Sequence, residues 1–161
     1  MRIKEYKIIK EQMMSKVICE KSFNYPCDFS QYDTSDKIGG LLNDVYDLKE
    51  QAEEYVYLLC FDKKMHLIGL SEISHGSVDL SVVSTRSVYL RAMQLTAAQI
   101  VIAHNHPSED TSPSKADIQT TKRLVEAGNI MDIPLVDHII IAGNNIYSIR
   151  AHQPDLFPCF F

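Results

Sequence analysis

Hydrophobic positions along the chain change period several times, and each change marks an element. Near the start, Ile3, Ile8 and Ile9 stand among basic residues over Arg2 to Lys10, and Lys16-Val17-Ile18-Cys19 follows a polar break, so the pattern predicts two short strands. Ser22 to Asp36 is polar and aromatic without a clear period and contains Pro26, which predicts an irregular connector. Ile38, Leu41, Leu42, Val45 and Leu48 then fall on one helical face, predicting a helix over Ser35 to Ala52 with Ser35 as its N-cap. Tyr55 to Phe61 (YVYLLCF) is apolar on both faces, as a buried central strand must be. Asp62-Lys63-Lys64 supplies a turn into a returning strand, His66 to Ser74, and Gly76 marks a further turn before a strand from Val78 to Val83.

The second half alternates more regularly. Ser84 or Thr85 caps a helix that presents Val88, Ala92 and Leu95 on one side, and Gln99 to Ala103 reads as the next strand. Ser112-Pro113 reads as an N-cap followed by proline at the first helical position, opening a helix that ends near Gly128. Val136 to Ala142 and Ile146 to Ile149 form a strand pair joined by Gly143-Asn144-Asn145, and the tail beyond Arg150 is aromatic and carries proline. The elements predict an α/β protein with a mixed sheet and helices packed on it.

A chain of 161 residues supports one domain with a real core plus short extensions. We divide it into an N-terminal extension (1–36), a main domain (37–150) and a C-terminal tail (151–161). A net charge of −5 gives no overall attraction to nucleic acid. Cys19, Cys27, Cys60 and Cys159 show no C-x-x-C spacing, which predicts reduced thiols. No signal-like leader and no apolar run near the roughly 18 residues of a membrane helix occurs, so the expected location is cytoplasmic.

The chemistry concentrates between Ala103 and Asp117. Two histidines one residue apart leave the end of an apolar run, and side chains alternate in an extended segment, so His104 and His106 share a face while Asn105 points away. Asp117 follows His106 after ten intervening residues, in the early turns of the next helix. Strand, loop and helix thereby converge on one ion, and two imidazoles with one carboxylate suit a zinc that keeps its fourth position open. Asp137-His138 is read as a hydrogen-bonding pair rather than as ligands, and His66, His75 and His152 carry no spacing signal. A zinc deaminase would need H-x-E with a later P-C-x-x-C, which Pro158-Cys159 does not provide. An amidohydrolase barrel also uses His-x-His but takes about 250 residues.

The run HNHPS followed by S-P-S-x-x-D-I closely resembles the JAMM metalloprotease motif in the form found in the RadC-like branch of MPN-type domains, over Glu54 to Ile149. The resemblance implies an MPN/JAB sandwich, cytidine deaminase-like in architecture, with His104, His106 and Asp117 as zinc ligands and Ser114 as the motif serine. It also implies a glutamate ahead of an apolar strand. Peptide hydrolysis needs a base to take a proton from water and pass it to the leaving amine. Glu54 is the preferred candidate and Glu53 its main competitor, because strand register decides which points inward. Glu72 and Glu109 rank below them. Ser114 is a candidate donor to a developing oxyanion, with helix capping as its plain structural role. Glu109 stands where the family usually has glycine, a glutamate under strain if that position needs positive φ.

The function expected from these residues is zinc-dependent amide hydrolysis by metal-activated water, of metallopeptidase or isopeptidase type, on a peptide or protein substrate. The alternative is a DNA-repair-associated or regulatory binding protein with a non-catalytic metal site. RadC-like proteins carry a DNA-repair label, and many have an N-terminal helix-hairpin-helix region. No glycine-rich hairpin pair precedes Ser35 here, so nucleic acid is not the expected direct partner.

Overall fold

The computed structural model describes residues 1–26, 35–76 and 83–157. Seven strands form one mixed sheet: β1 (Arg2–Glu11), β2 (Met14–Asn24), β3 (Glu54–Phe61), β4 (Leu67–Gly76), β5 (Gln99–Asn105), β6 (Leu135–Ala142) and β7 (Asn145–Ser148). Among the described residues four α-helices accompany them: α1 (Ser35–Tyr46), α2 (Thr85–Gln94), α3 (Lys115–Met131) and the single turn α4 (Ile149–His152). The strand order is β2-β1-β4-β3-β5-β6-β7, so β3 is the middle strand, as its unbroken apolar run predicts. Pairing is antiparallel for β3 with both of its neighbours and parallel for β5 with β6.

Alternation along the strands sorts the core into two layers. Tyr57, Leu59, Phe61, Val101, Ala103, Ile139 and Ile141 face α1, whose Ile38, Leu41 and Leu42 close that side. Val56, Leu58, Cys60, Ile100, Ile102 and Ile140 face the opposite way, against Val88, Tyr89 and Ala92 of α2 and Leu124 and Val125 of α3. Helices therefore cover both faces of the sheet, the α/β sandwich that the sequence and its resemblance imply. Among the described residues, no helix is long and apolar enough to cross a membrane.

Several boundaries differ from the sequence expectation, each for a local reason. The first helix stops at Tyr46 and not at Ala52, because Asp47 turns left-handed (φ 52) and a 3₁₀ turn, Leu48–Glu50, follows. Leu48 is still buried in the same apolar cluster, so the hydrophobic period outlasts the helix. Ser35 is the first helical residue and not its cap. The two N-terminal strands are longer than expected and form a hairpin around Gln12 and Met13, with β2 running on to Asn24 into the expected connector. This hairpin joins the sheet through β1, which runs parallel to β4 with Glu5 opposite Leu70. Tyr46 Oη donates to the buried Glu5 carboxylate at 2.8 Å, fastening it to α1.

Asp62 makes the expected turn by accepting from the Lys64 and His66 amides. The expected strand from Val78 to Val83 falls on residues outside the described ones except Val83. The Gly143 turn is one residue tighter than expected, since Asn145 already pairs with Ala142. β7 ends at Ser148, before Ile149, because the Ser148 hydroxyl caps α4. α3 passes Gly128 and ends at Met131, with left-handed Asp132 (φ 53) as its cap.

Gly128 is a packing glycine, not a stop. A Cβ there would lie 2.7 Å from Tyr89 Oη and 2.8 Å from the Ile133 carbonyl oxygen. Alanine would gain about 1 kcal/mol in helix propensity, but overpacking against a backbone carbonyl costs roughly 1–3 kcal/mol. The second effect should win: Gly128→Ala is expected to destabilise the fold by up to about 2 kcal/mol in urea denaturation.

Candidate metal centre

β5 delivers the first ligand candidate. Its last residues, His104 and Asn105, are fully or almost fully buried, and the His106 amide extends the pairing with β6 by donating to the Ile141 carbonyl at 2.8 Å. His104 shares its face with Ile100 and Ile102, the side covered by α2 and α3. On that side α3 begins, and its first turn carries Asp117.

The N-terminus of α3 fixes Asp117 by a reciprocal capping box. Ser114 Oγ accepts from the Asp117 amide at 3.1 Å, and Asp117 Oδ2 accepts from the Ser114 amide at 2.6 Å. This corrects the helix start: Ser114 is the cap, Lys115 the first helical residue, and Ser112-Pro113 lie before it. Serine wins at 114 because Asp117 sits three residues on, where a capping box requires its acceptor.

His104, His106 and Asp117 come together as a group able to hold a metal ion, with one ligand atom of each within 4.8 Å of the others. The two Nε2 atoms are 2.9 Å apart. His104 Nε2 lies 3.4 Å from Asp117 Oδ1, and His106 Nε2 lies 3.5 Å from Asp117 Oδ2. His106 Nδ1 donates to the Asp110 carbonyl at 2.7 Å, which leaves the neutral ring's lone pair on Nε2, pointing into the group. Two nitrogen lone pairs and a carboxylate facing one another repel, so a cation, proton or metal, has to stand among them. Asp117 Oδ1 is buried with no hydrogen-bond partner among the described residues, a free carboxylate oxygen aimed where an ion would need it. The donor set thus fits a metal, and the group is closed except at His106, whose side chain is 10% exposed.

The electrostatics follow from burial and from this crowding. Burial, with His138 adding to it, holds the His104 imidazole well below its ordinary pKa. Burial also lowers His106, but the Asp117 carboxylate, the Asp110 carbonyl and Glu54 outweigh it and raise the net value. Desolvation opposes ionisation of Asp117, yet its bonds from His106 and Ser114 and the nearby His104 keep it well below the usual carboxylate range. A ligand set with an ionised carboxylate and a neutral His104 is ready for a divalent ion, which would displace the His106 proton.

The glutamate candidates separate by sheet face. Val56 pairs with His104 across β3 and β5, so Val56 and Glu54, two residues apart, point to the metal side. Glu53 has the opposite parity and acts on His75, whose pKa is raised first by its hydrogen bond to Glu72 and then by the charges of Glu72 and Glu53. Glu72 pairs with Tyr57 and so lies on the α1 side. Asn105 holds Glu54 in place: its side chain accepts from the Tyr55 amide at 2.7 Å and donates to the Glu53 carbonyl at 2.9 Å, bracketing Glu54 by its backbone neighbours. Sequence reading left Asn105 without a role; its position inside His-x-His, pointing away from both histidines, was the available signal.

His138 is hydrogen-bonded on both ring nitrogens, to His104 and Thr121, in line with its expected bonding role. Asp137 accepts from the Ser148 hydroxyl and the Arg150 amide, bracing α4. His66, His75 and His152 bond to Asp62, Glu72 and the Ser148 carbonyl, away from the group.

A mixed sheet sandwiched by helices, with a His-x-His at the end of one inner strand and an aspartate in the first turn of the following helix, defines an α/β domain with a group able to hold a metal. The chain belongs to the RadC-like JAB domain family, whose profile matches residues 33–154. It is 39% identical over 118 residues to a UPF0758 protein of Alkaliphilus oremlandii, covering 73% of this chain and 50% of that protein. A UPF0758 protein of Alkaliphilus metalliredigens is 39% identical over 115 residues (71% and 49%), and one of Syntrophomonas wolfei is 40% identical over 105 residues (65% and 45%). The chain therefore spans about half the length of the curated relatives it matches.

Glu109 adopts the left-handed conformation that strains a residue with a side chain, with φ 59. Its amide donates to the His106 carbonyl, and the reversal lets the Asp110 carbonyl return to His106 Nδ1. The left-handed conformation costs a residue with Cβ roughly 1–2 kcal/mol, while glycine's freedom in the unfolded chain takes back about 0.5–1 kcal/mol. Glu109→Gly is thus expected to stabilise the protein by roughly 0–1.5 kcal/mol in equilibrium denaturation. A loss above about 1 kcal/mol would mean that the glutamate side chain itself holds the loop.

Proposed function

We propose that this protein is a zinc-dependent hydrolase of metallopeptidase or isopeptidase type, acting on an amide bond in a peptide or protein substrate. The observation that carries the reading is the convergence of His104 Nε2, His106 Nε2 and the Asp117 carboxylate on the sheet face to which Glu54 also points. Zinc bound there supplies Lewis acidity, polarising a carbonyl and making water acidic enough to attack near neutral pH. Two imidazoles and a carboxylate with an open fourth position suit zinc over harder ions that prefer oxygen ligands.

Glu54 acts as the base that takes the water's proton and then as the acid that delivers it to the departing amine. Its link to the group is electrostatic as well as positional, since its charge helps raise His106. Asn105 keeps the Glu54 backbone in register, which holds its side chain on the metal side of the sheet. Ser114 contributes a hydroxyl hydrogen: its oxygen accepts from the Asp117 amide, and its O–H, which bonds the Asp117 carboxylate at rest, turns from there toward an oxyanion. His106, the partly open member, marks the side from which substrate approaches. A cytoplasmic location belongs to the same reading.

Elemental analysis of protein purified without chelator should find about one zinc per chain, and His106→Ala should lose most of it. With zinc retained, Glu54→Gln should slow cleavage in a peptide and isopeptide screen by about 10²- to 10⁴-fold. Wild-type protein that binds no zinc after the ion is added back would defeat the reading, and so would a Glu54→Gln variant of unchanged activity.

A further inference from the structure

His104 can serve a metal through Nε2 only if its one ring proton sits on Nδ1, and a chain of buried groups behind it decides where that proton goes. His138, fully buried, lies with Nε2 2.9 Å from His104 Nδ1 and with Nδ1 2.7 Å from Thr121 Oγ1. Thr121 is fully buried too, and its hydroxyl donates to the Asp117 carbonyl, one helical turn back, at 2.7 Å.

The proton positions follow in order. Thr121 has a single hydroxyl hydrogen. Once the Asp117 carbonyl takes it, Oγ1 faces His138 as an acceptor. His138 must then donate from Nδ1 and keep a lone pair on Nε2. His104 in turn donates from Nδ1 to that lone pair, and its own remaining lone pair faces His106 and Asp117. The opposite order turns the threonine hydroxyl toward His138 and puts a hydrogen on His104 Nε2, where it would block an ion. The backbone of α3 selects the first order, through the carbonyl of the same residue whose carboxylate joins the group.

We propose that His138 and Thr121 are positioning residues that lock His104 in its Nδ1-protonated tautomer and so present Nε2 to the metal. This rests on the metal-site reading above. Neither residue is a ligand, since both nitrogens of His138 are already engaged. A neutral histidine is suited to this place in a way that a carboxylate is not: it orients the ligand without adding a second buried negative charge beside Asp117.

The experiment is long-range ¹⁵N–¹H NMR on the full, metal-free chain with labelled histidine, paired with zinc affinity from chelator competition. His104 should show a protonated Nδ1 and an unprotonated Nε2 in wild type, and this preference should be lost in Thr121→Val and His138→Leu. Zinc affinity should fall about 10- to 100-fold in His138→Leu and by less in Thr121→Val. His138→Gln should recover most of it, because an amide can accept from His104 and donate to Thr121. Thermal unfolding of the metal-free proteins controls for folding, and the near-isosteric Thr121→Val carries the test if His138→Leu does not fold. A wild-type His104 protonated on Nε2, or a tautomer and affinity that neither substitution moves, would overturn the proposal. Failure of wild type to bind zinc would instead defeat the metal reading, while the metal-free spectra would still judge the tautomer lock.

Discussion

Everything at this centre depends on one unfavourable contact made permanent by the fold: two imidazole nitrogens held 2.9 Å apart with a buried carboxylate beside them. Left in water, three such acceptors would separate. Here the His104 backbone is held by β3 on one side and β6 on the other, and Asp117 is held by the start of α3. None can retreat without breaking a ladder or a helix cap. Repulsion that the backbone holds in place is met by a proton, which the raised His106 keeps, or by a metal ion that displaces it.

The capping box illustrates how one residue serves both ends of that bargain. Asp117 uses Oδ2 to satisfy the Ser114 amide, a backbone donor that the first turn of a helix leaves unpaired. Its Oδ1 stays without a hydrogen-bond partner among the described residues. Helix initiation and ligand presentation are therefore the same event. Asn105 plays a comparable double part at the start of the sheet's middle strand, where its side-chain amide replaces a peptide group and carries the β3–β5 pairing past Val56 to the level of Glu54.

How far the sequence speaks depends on the range of the interaction. The His-x-His face and the Asp117 turn were legible because strand alternation and helix spacing are local rules, and the central place of β3 followed from an apolar run with no solvated face. The choice between Glu54 and Glu53 was not, since parity has meaning only once β3 is set against β5, and that register is tertiary. The helix ends misled for a similar reason. Leu48 and Gly128 look like a helical residue and a helix stop, but Leu48 is buried from a 3₁₀ turn and Gly128 makes room for Tyr89 and Ile133. The role of Thr121 had no sequence signal at all: it is one polar residue on an amphipathic helix until His138 is placed behind His104.

The N-terminal hairpin shows how an added segment can be tied to a sheet without relying on strand pairing alone. β1 and β2 precede the residues matched by the family profile, and β1 lies beside β4. The firmer tie is chemical. Glu5 is buried, Tyr46 at the end of α1 donates to it, and Lys21 of β2 stands 3.5 Å away as its counter-charge. Tyr46 in turn stacks on Tyr57 of β3 at 4.5 Å. Burial, reinforced by that bond to Glu5, raises the Tyr46 pKa far above its usual value, so the phenol keeps its proton and remains the donor. A carboxylate is costly to bury, and here it is buried only because hairpin, helix and central strand all contribute to holding it. Removing Tyr46 would strip the buried carboxylate of its hydrogen bond from α1, which makes this contact specific in a way that a purely hydrophobic seam would not be. Glu5 thereby ties the hairpin down on the α1 side of the sheet, while Tyr6 and Val17 of the same hairpin pack against the opposite layer, the one closed by α2 and α3.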